Sequence, residues 1–97
     1  MNDQEVLRDA VYVFGSESQK KMLLEEMAEL QKEICKQWRG ADNMEAIADE
    51  MADVYIMLDQ MMILFDNAEQ VARHRREKTW RLAARVFEKK YPTQEAL

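Results

Sequence analysis

Two glycines and one proline are the only strong chain breakers among 97 residues. A sandwich or barrel reverses its chain about every 8–12 residues and needs turn residues at each reversal. This chain lacks them, so an all-β fold is excluded and long helices are expected. Apolar residues at 47% and charged residues at 34% suit a helical domain. The length predicts a single domain over 1–97 with its core over about 16–90. Such a chain buries only about 60–65% of its unfolded surface, a marginal core unless it self-associates. The single cysteine, Cys35, excludes an internal disulfide and a Cys-based zinc site. The polar, acidic start Met-Asn-Asp-Gln-Glu predicts no signal peptide. Val54 to Phe65, the longest apolar region, is interrupted by Asp59 and Gln60 and is too short to span a bilayer. The expectation is a reduced, cytoplasmic, helical protein without a membrane partner.

Punctuation divides the chain into four helices. Asn2 or Asp3 caps a short first helix, about Gln4 to Val13, which Gly15 ends. Ser16-Glu17-Ser18-Gln19 reads as a capping box opening a long second helix, about Glu17 to Arg39, stopped by Gly40. Asp42-Asn43-Met44-Glu45 reads as a second box, opening a third helix to about Phe65. Asp66-Asn67-Ala68-Glu69 reads as a third, opening a fourth over about Asn67 to Lys90, with Pro92 just beyond. Short connections imply antiparallel neighbours, hence an antiparallel four-helix bundle.

Periodicity then places the carboxylates. Leu23, Met27, Leu30, Ile34 and Trp38 form the apolar stripe of the second helix. With Leu23 at zero, Glu26 lies at about −60° and Glu29 at about −120°, with Glu33 between them. Ile47, Met51, Val54, Leu58 and Phe65 form the stripe of the third helix. With Ile47 at zero, Glu50 lies at about −60° and Asp53 at about −120°. The same pattern at the same offset flanks both stripes. Counted from Gly40, Glu29 and Glu50 stand at nearly equal separations, as do Glu26 and Asp53. An antiparallel hairpin therefore sets Glu29 against Glu50 and Glu26 against Asp53. Four carboxylates at one level raise one another's pKa values, and a hard divalent cation removes that cost. Oxygen-only donors select Mg²⁺, with Mn²⁺ as the alternative. A lone Glu-x-x-Glu would be read as a solvated acidic face. Glu25, on the far side of the wheel, is read as solvated or as a subunit contact.

The charge is unevenly placed. The net charge is −5, yet Arg73–Lys90 carries eight bases and two acids, a local +6 against −11 elsewhere. His74, Lys78, Arg81 and Arg85 fall within about 65° on the wheel of the fourth helix. Arg forks and a Lys point charge suit phosphate oxygens, and beside an acidic metal cluster this stripe is read as phosphate-binding through Lys78, Arg81 and Arg85. His74, without a second His or Cys, is read as a bystander. The acidic remainder repels nucleic acid, so no nucleic-acid partner is expected.

Glu25-Glu26-Met27-Ala28-Glu29, then twenty residues, then Glu50-Met51-Ala52-Asp53, resembles the EExxE…ExxD signature of the MazG-like nucleotide pyrophosphohydrolases of the all-α NTP pyrophosphatase superfamily. Gln19, Leu30, the stretch Asp49–Leu58 and Lys78-x-x-Arg81-x-x-x-Arg85 look like the small single-domain phage and bacterial members. The similarity covers roughly Gly15 to Arg85. Where many relatives carry an Asn beside the Lys and Arg of the last helix, this chain has Thr79 and Trp80. The resemblance implies hydrolysis of a nucleoside triphosphate to monophosphate and pyrophosphate. Glu26, Glu29, Glu50 and Asp53 would be the catalytic Mg²⁺ ligands, and one of them or Glu25 would accept the proton of the attacking water. Phe14, Trp38 and Trp80 are the aromatic candidates for a base-binding slot.

Self-association is expected as well. Ile56 and Ile63 lie opposite the stripe of the third helix, and Met57, Met61, Met62 and Leu64 broaden it. A helix apolar nearly all round must be buried on more than one side, which predicts a homodimer or homotetramer. The eight Met residues suit an adaptable packing surface. The competing expectation is a non-catalytic helical adaptor whose charged faces bind a partner protein and whose stability ignores metal.

Overall fold

The computed structural model describes residues 1–93, and these form four helices and no strand: α1 (Asp3–Phe14), α2 (Ser16–Trp38), α3 (Met44–Phe65) and α4 (Ala68–Lys90). No described helix is long and apolar enough to cross a membrane. The chain divides into two units, Met1–Asp66 and the chain from Asn67 onward.

Backbone chemistry explains the breaks. Asn2 caps α1, its Oδ1 accepting the Glu5 N–H at 2.8 Å. Gly15 both ends α1 and precedes α2. Its φ of 90° and ψ of 154° lie in a region open essentially to glycine alone. One residue thus separates two helices. After α2, the Gly40 N–H reaches the Gln37 carbonyl at 2.9 Å and the Ala41 N–H reaches the Lys36 carbonyl at 3.0 Å. With Gly40 at φ 102°, this is a Schellman ending. α3 ends on Asp66 in the left-handed region, φ 50° and ψ 49°, the only described non-glycine residue at positive φ.

None of the three capping boxes forms. Gly15, Asn43 and Asn67 occupy the cap positions, without side-chain cap bonds. The box residues have other uses. Gln19 turns inward, Asn43 reaches back to α2, and Asp66 serves the end of α3.

Within Met1–Asp66, α2 and α3 pack together and α1 packs on both. Three pairings show that the hairpin is antiparallel: Gln19 with Gln60, Glu26 with Asp53, and Glu33 with Asn43. The buried centre holds Met57, Met61 and two amides, Gln19 and Gln60. The Gln19 Nε2 donates to the Gln60 Oε1 at 2.6 Å, and the Gln60 Nε2 lies 3.6 Å from the Met57 sulfur. A buried amide left unpaired costs ~1–3 kcal/mol, and here the Gln60 oxygen receives the Gln19 donor while the Ser18 hydroxyl donates to the Gln19 oxygen.

The inner stripes are rotated from the sequence expectation. Leu23, Leu30, Ile47 and Val54 are half-buried as expected. Met27, Ile34, Trp38, Met51, Leu58 and Phe65 are instead among the exposed large apolar residues. The faces that pack carry Gln19, Leu23, Glu26 and Leu30 on α2, and Glu50, Asp53, Met57, Gln60 and Met61 on α3. Both helices have more than one apolar stripe, and the packed one carries the amide pair and, two turns away, the carboxylates.

In the second unit, every residue of α4 is exposed. The Thr79 hydroxyl donates to the Arg75 carbonyl at 2.7 Å. The Phe87 and Tyr91 rings stack with centroids 5.0 Å apart.

Candidate metal centre

Glu26 of α2 meets Glu50 and Asp53 of α3, with one carboxylate oxygen from each within 4.8 Å of the others. The three are half-buried. Glu50 and Asp53, three residues apart, lie on one face of α3. Glu26 comes to them from the facing helix, four residues before the half-buried Leu30. The expected fourth member, Glu29, is exposed and lies outside this group of three. It sits about 60° further from the packed face than Glu26, so one step round the wheel takes it to the surface. Glu26 therefore faces both Glu50 and Asp53.

The electrostatics follow from burial and like charge. Glu26 is pushed up to about 7, chiefly because its carboxyl loses solvent, and then because the Asp53 and Glu50 carboxylates face it. The Glu50 Oε2 is buried and has no hydrogen-bond partner. An acceptor there is met either by the proton that the raised Glu26 carboxyl keeps or by a cation. Three oxygen donors, one of them orphaned, fit a hard divalent ion such as Mg²⁺.

A second polar group, further along the hairpin, has a different character. The Asn43 Nδ2 donates to the Glu33 backbone carbonyl at 3.0 Å and to its Oε2 at 2.5 Å. The Lys36 ammonium adds a 3.3 Å contact to Glu33 Oε1. The Glu33 carboxyl is accordingly held below its usual range, first by Asn43 and then by Lys36. With donors supplied, Glu33 braces the hairpin turn and lies outside the acidic group of three.

Lys78, Arg81 and Arg85 line one shallow hollow on α4, and all three are exposed. His74 lines a separate one with Val71 and Lys78. Among the aromatic candidates, Phe14, Trp38 and Trp80 are each largely exposed. Sequence reasoning missed Gln60. A signal was present: the spacing that sets Glu26 against Asp53 also sets Gln19 against Gln60, an amide interrupting the apolar run of α3. No protein-family model, curated protein or solved structure matches the chain.

Proposed function

We propose that the chain is a Mg²⁺-dependent nucleoside triphosphate pyrophosphohydrolase of the MazG-like kind, a cytoplasmic enzyme that works as a homodimer or homotetramer and needs no nucleic acid. The observation that carries this reading is the meeting of Glu26, Glu50 and Asp53, with the Glu50 Oε2 buried and unpartnered. Glu26, Glu50 and Asp53 would hold the ion, with Glu29, at the exposed edge of α2, as the fourth ligand that the resemblance implies. Mg²⁺ (or Mn²⁺), when bound, neutralises phosphate charge and acidifies water.

The chain's own groups do the rest. The carboxylates position the water in line with the α-phosphorus and take its proton, either through one of the inner set or through neighbouring Glu25. Lys78, Arg81 and Arg85 supply the fixed positive charge that the β- and γ-phosphates require.

The test is pyrophosphate release from a panel of ribo- and deoxyribonucleoside triphosphates, with Mg²⁺ and with EDTA, wild type beside Glu50→Gln. Metal-dependent release with monophosphate as co-product, lost in the variant, is the expected result. No release from any triphosphate, with both proteins equally stable and indifferent to metal, overturns the reading and leaves the helical adaptor.

A further inference from the structure

The acidic cluster is held from two sides, and the two sides are unlike. Every fully buried residue of α2 and α3 lies on the side away from the turn: Gln19 on α2, and Met57, Gln60 and Met61 on α3. Between the cluster and the turn no residue is fully buried, and the best-covered apolar residues there, Leu30, Cys35, Ala46 and Ile47, are half-buried. The backbone of the turn bonds back to α2 alone. The Arg39, Gly40 and Ala41 N–H groups all reach carbonyls between Cys35 and Gln37. Apart from the carboxylates themselves, two side-chain hydrogen-bond links join α2 to α3 and its cap among the described residues. Gln19 bonds Gln60 on the far side, and Asn43 bonds Glu33 on the turn side.

Asn43 makes its link at the expense of a local one. Asn is among the best N-cap residues, its oxygen normally accepting an N–H of the first turn. Asn43 stands at the cap position of α3 and makes no side-chain cap bond. Its Nδ2 crosses instead to Glu33, donating to the backbone carbonyl and to the carboxylate, while its Oδ1 is left buried without a partner. A residue that forgoes its cap and orphans a buried acceptor has a use beyond its own helix. Spacing shows what lies within reach of it. Glu33 follows Glu26 by seven residues, and Asn43 precedes Glu50 by seven. The link therefore stands two turns from the cluster along both strands of the hairpin, on its weakly packed side. Three facing carboxylates repel one another, and the push spreads α2 from α3. Buried side chains oppose it on the far side, and the Asn43–Glu33 link opposes it on the turn side.

We propose that Glu33 and Asn43 are positioning residues of the metal centre, whose hydrogen bonds fix the separation of α2 and α3 where Glu26 meets Glu50 and Asp53. Neither belongs to the group of three carboxylates. Each acts through the helix that carries a ligand: Glu33 through α2, which bears Glu26, and Asn43 through α3, which bears Glu50 and Asp53. A ligand set keeps its geometry only when its supports hold it to about 0.5 Å, and a rigid helix carries such a constraint over two turns. The inference rests on the metal-centre reading above, and it stands whichever nucleotide is hydrolysed.

The test is Mg²⁺ binding to the full chain at pH 8 by isothermal titration calorimetry, beside urea unfolding without metal. Asn43→Ser separates positioning from stability, because its hydroxyl can cap α3 and is too short to reach Glu33. It is expected to unfold like wild type and to bind Mg²⁺ about tenfold more weakly, the low end of what a supporting contact of a metal site contributes. Glu33→Ala is expected to weaken binding to the same degree. Glu33→Gln keeps an oxygen for Asn43 and loses only a charge about one Debye length from the cluster, so it should stay within about threefold of wild type. Leu7→Ala, at a half-buried position of α1, should lower stability and leave Mg²⁺ affinity unchanged. If Asn43→Ser loses its helical circular dichroism, the contrast of Glu33→Ala with Glu33→Gln carries the test. Wild-type affinity in either Asn43→Ser or Glu33→Ala, or equal weakening by Leu7→Ala or Glu33→Gln, overturns the proposal. A wild type that binds no Mg²⁺ overturns the metal-centre reading and the proposal with it, so the two failures are told apart.

Discussion

Replacing Glu50 by Gln has opposite consequences with and without metal. In the metal-free protein three carboxylates share a half-buried site, and Glu26 is raised from 4.5 to about 7. A carboxyl that binds its proton more tightly folded than unfolded stabilises the fold below the unfolded value, and that contribution is lost as pH rises through about 7. At pH 8 the site therefore strains the wild type. Glu50→Gln removes one negative charge and supplies an amide donor to the remaining carboxylates. Glu50 ranks below burial and Asp53 among the causes of the Glu26 shift, and partial exposure screens it further. The gain is therefore on the order of 1 kcal/mol, about 4–8 °C in Tm for a domain of this size. With Mg²⁺ at ten times its dissociation constant, the wild type gains about 1.4 kcal/mol by mass action, and the variant gains nothing. The order of stabilities thus reverses or closes when metal is added. Thermal unfolding followed by circular dichroism at pH 8, in EDTA and in excess Mg²⁺, reads both arms. A Glu50→Gln protein less stable than wild type in EDTA, or one responding equally to Mg²⁺, would refute the reasoning.

The same shift sets a pH window: Mg²⁺ stabilisation of the wild type is expected in full above about pH 7 and to fade below it as Glu26 keeps its proton, as measured by the Mg²⁺-induced change in Tm across a pH series. Gln19→Ala is expected to cost ~1–3 kcal/mol in urea unfolding, because the Gln60 amide stays buried without its partner. Replacing both amides by Leu is expected to recover most of that loss. Gly15→Ala and Asp66→Gly should move the unfolding midpoint in opposite directions. The first forces a side chain into a glycine-only conformation at ~1–3 kcal/mol, and the second relieves a left-handed aspartate by less than about 1 kcal/mol.

Helix positions were legible because each break has a local cause. Gly15 and Gly40 adopt backbone conformations that other residues resist, and Asp66-Asn67 separates α3 from α4. The Glu26, Glu50 and Asp53 cluster was legible for a related reason, since wheel angle and distance from the turn are both countable. Glu29 was not separable from Glu26 by counting, because the packed face runs nearer Glu26 than apolar periodicity suggests. The capping boxes misled because Gln19 and Asn43 have long-range partners, at Gln60 and Glu33, that local pattern cannot weigh. The inner stripe was misplaced because Met51 and Leu58 belong to a second regular stripe. Hydrophobicity marks both stripes alike and does not say which one the hairpin packs.

The Gln19–Gln60 hydrogen bond has a consequence for the acidic cluster that its strength does not convey. Gln19 precedes Glu26 by seven residues, and Gln60 follows Asp53 by seven. Two helical turns, about 10.5 Å, therefore separate the amide contact from the carboxylates along both helices. Methionine-lined surfaces tolerate sliding, since a flexible thioether packs nearly as well one turn along. The amides do not, because a slip of one turn leaves each facing carbon. The pair therefore works as a depth stop. It sets the axial position of α2 on α3, and it holds three carboxylates at one level from two turns away.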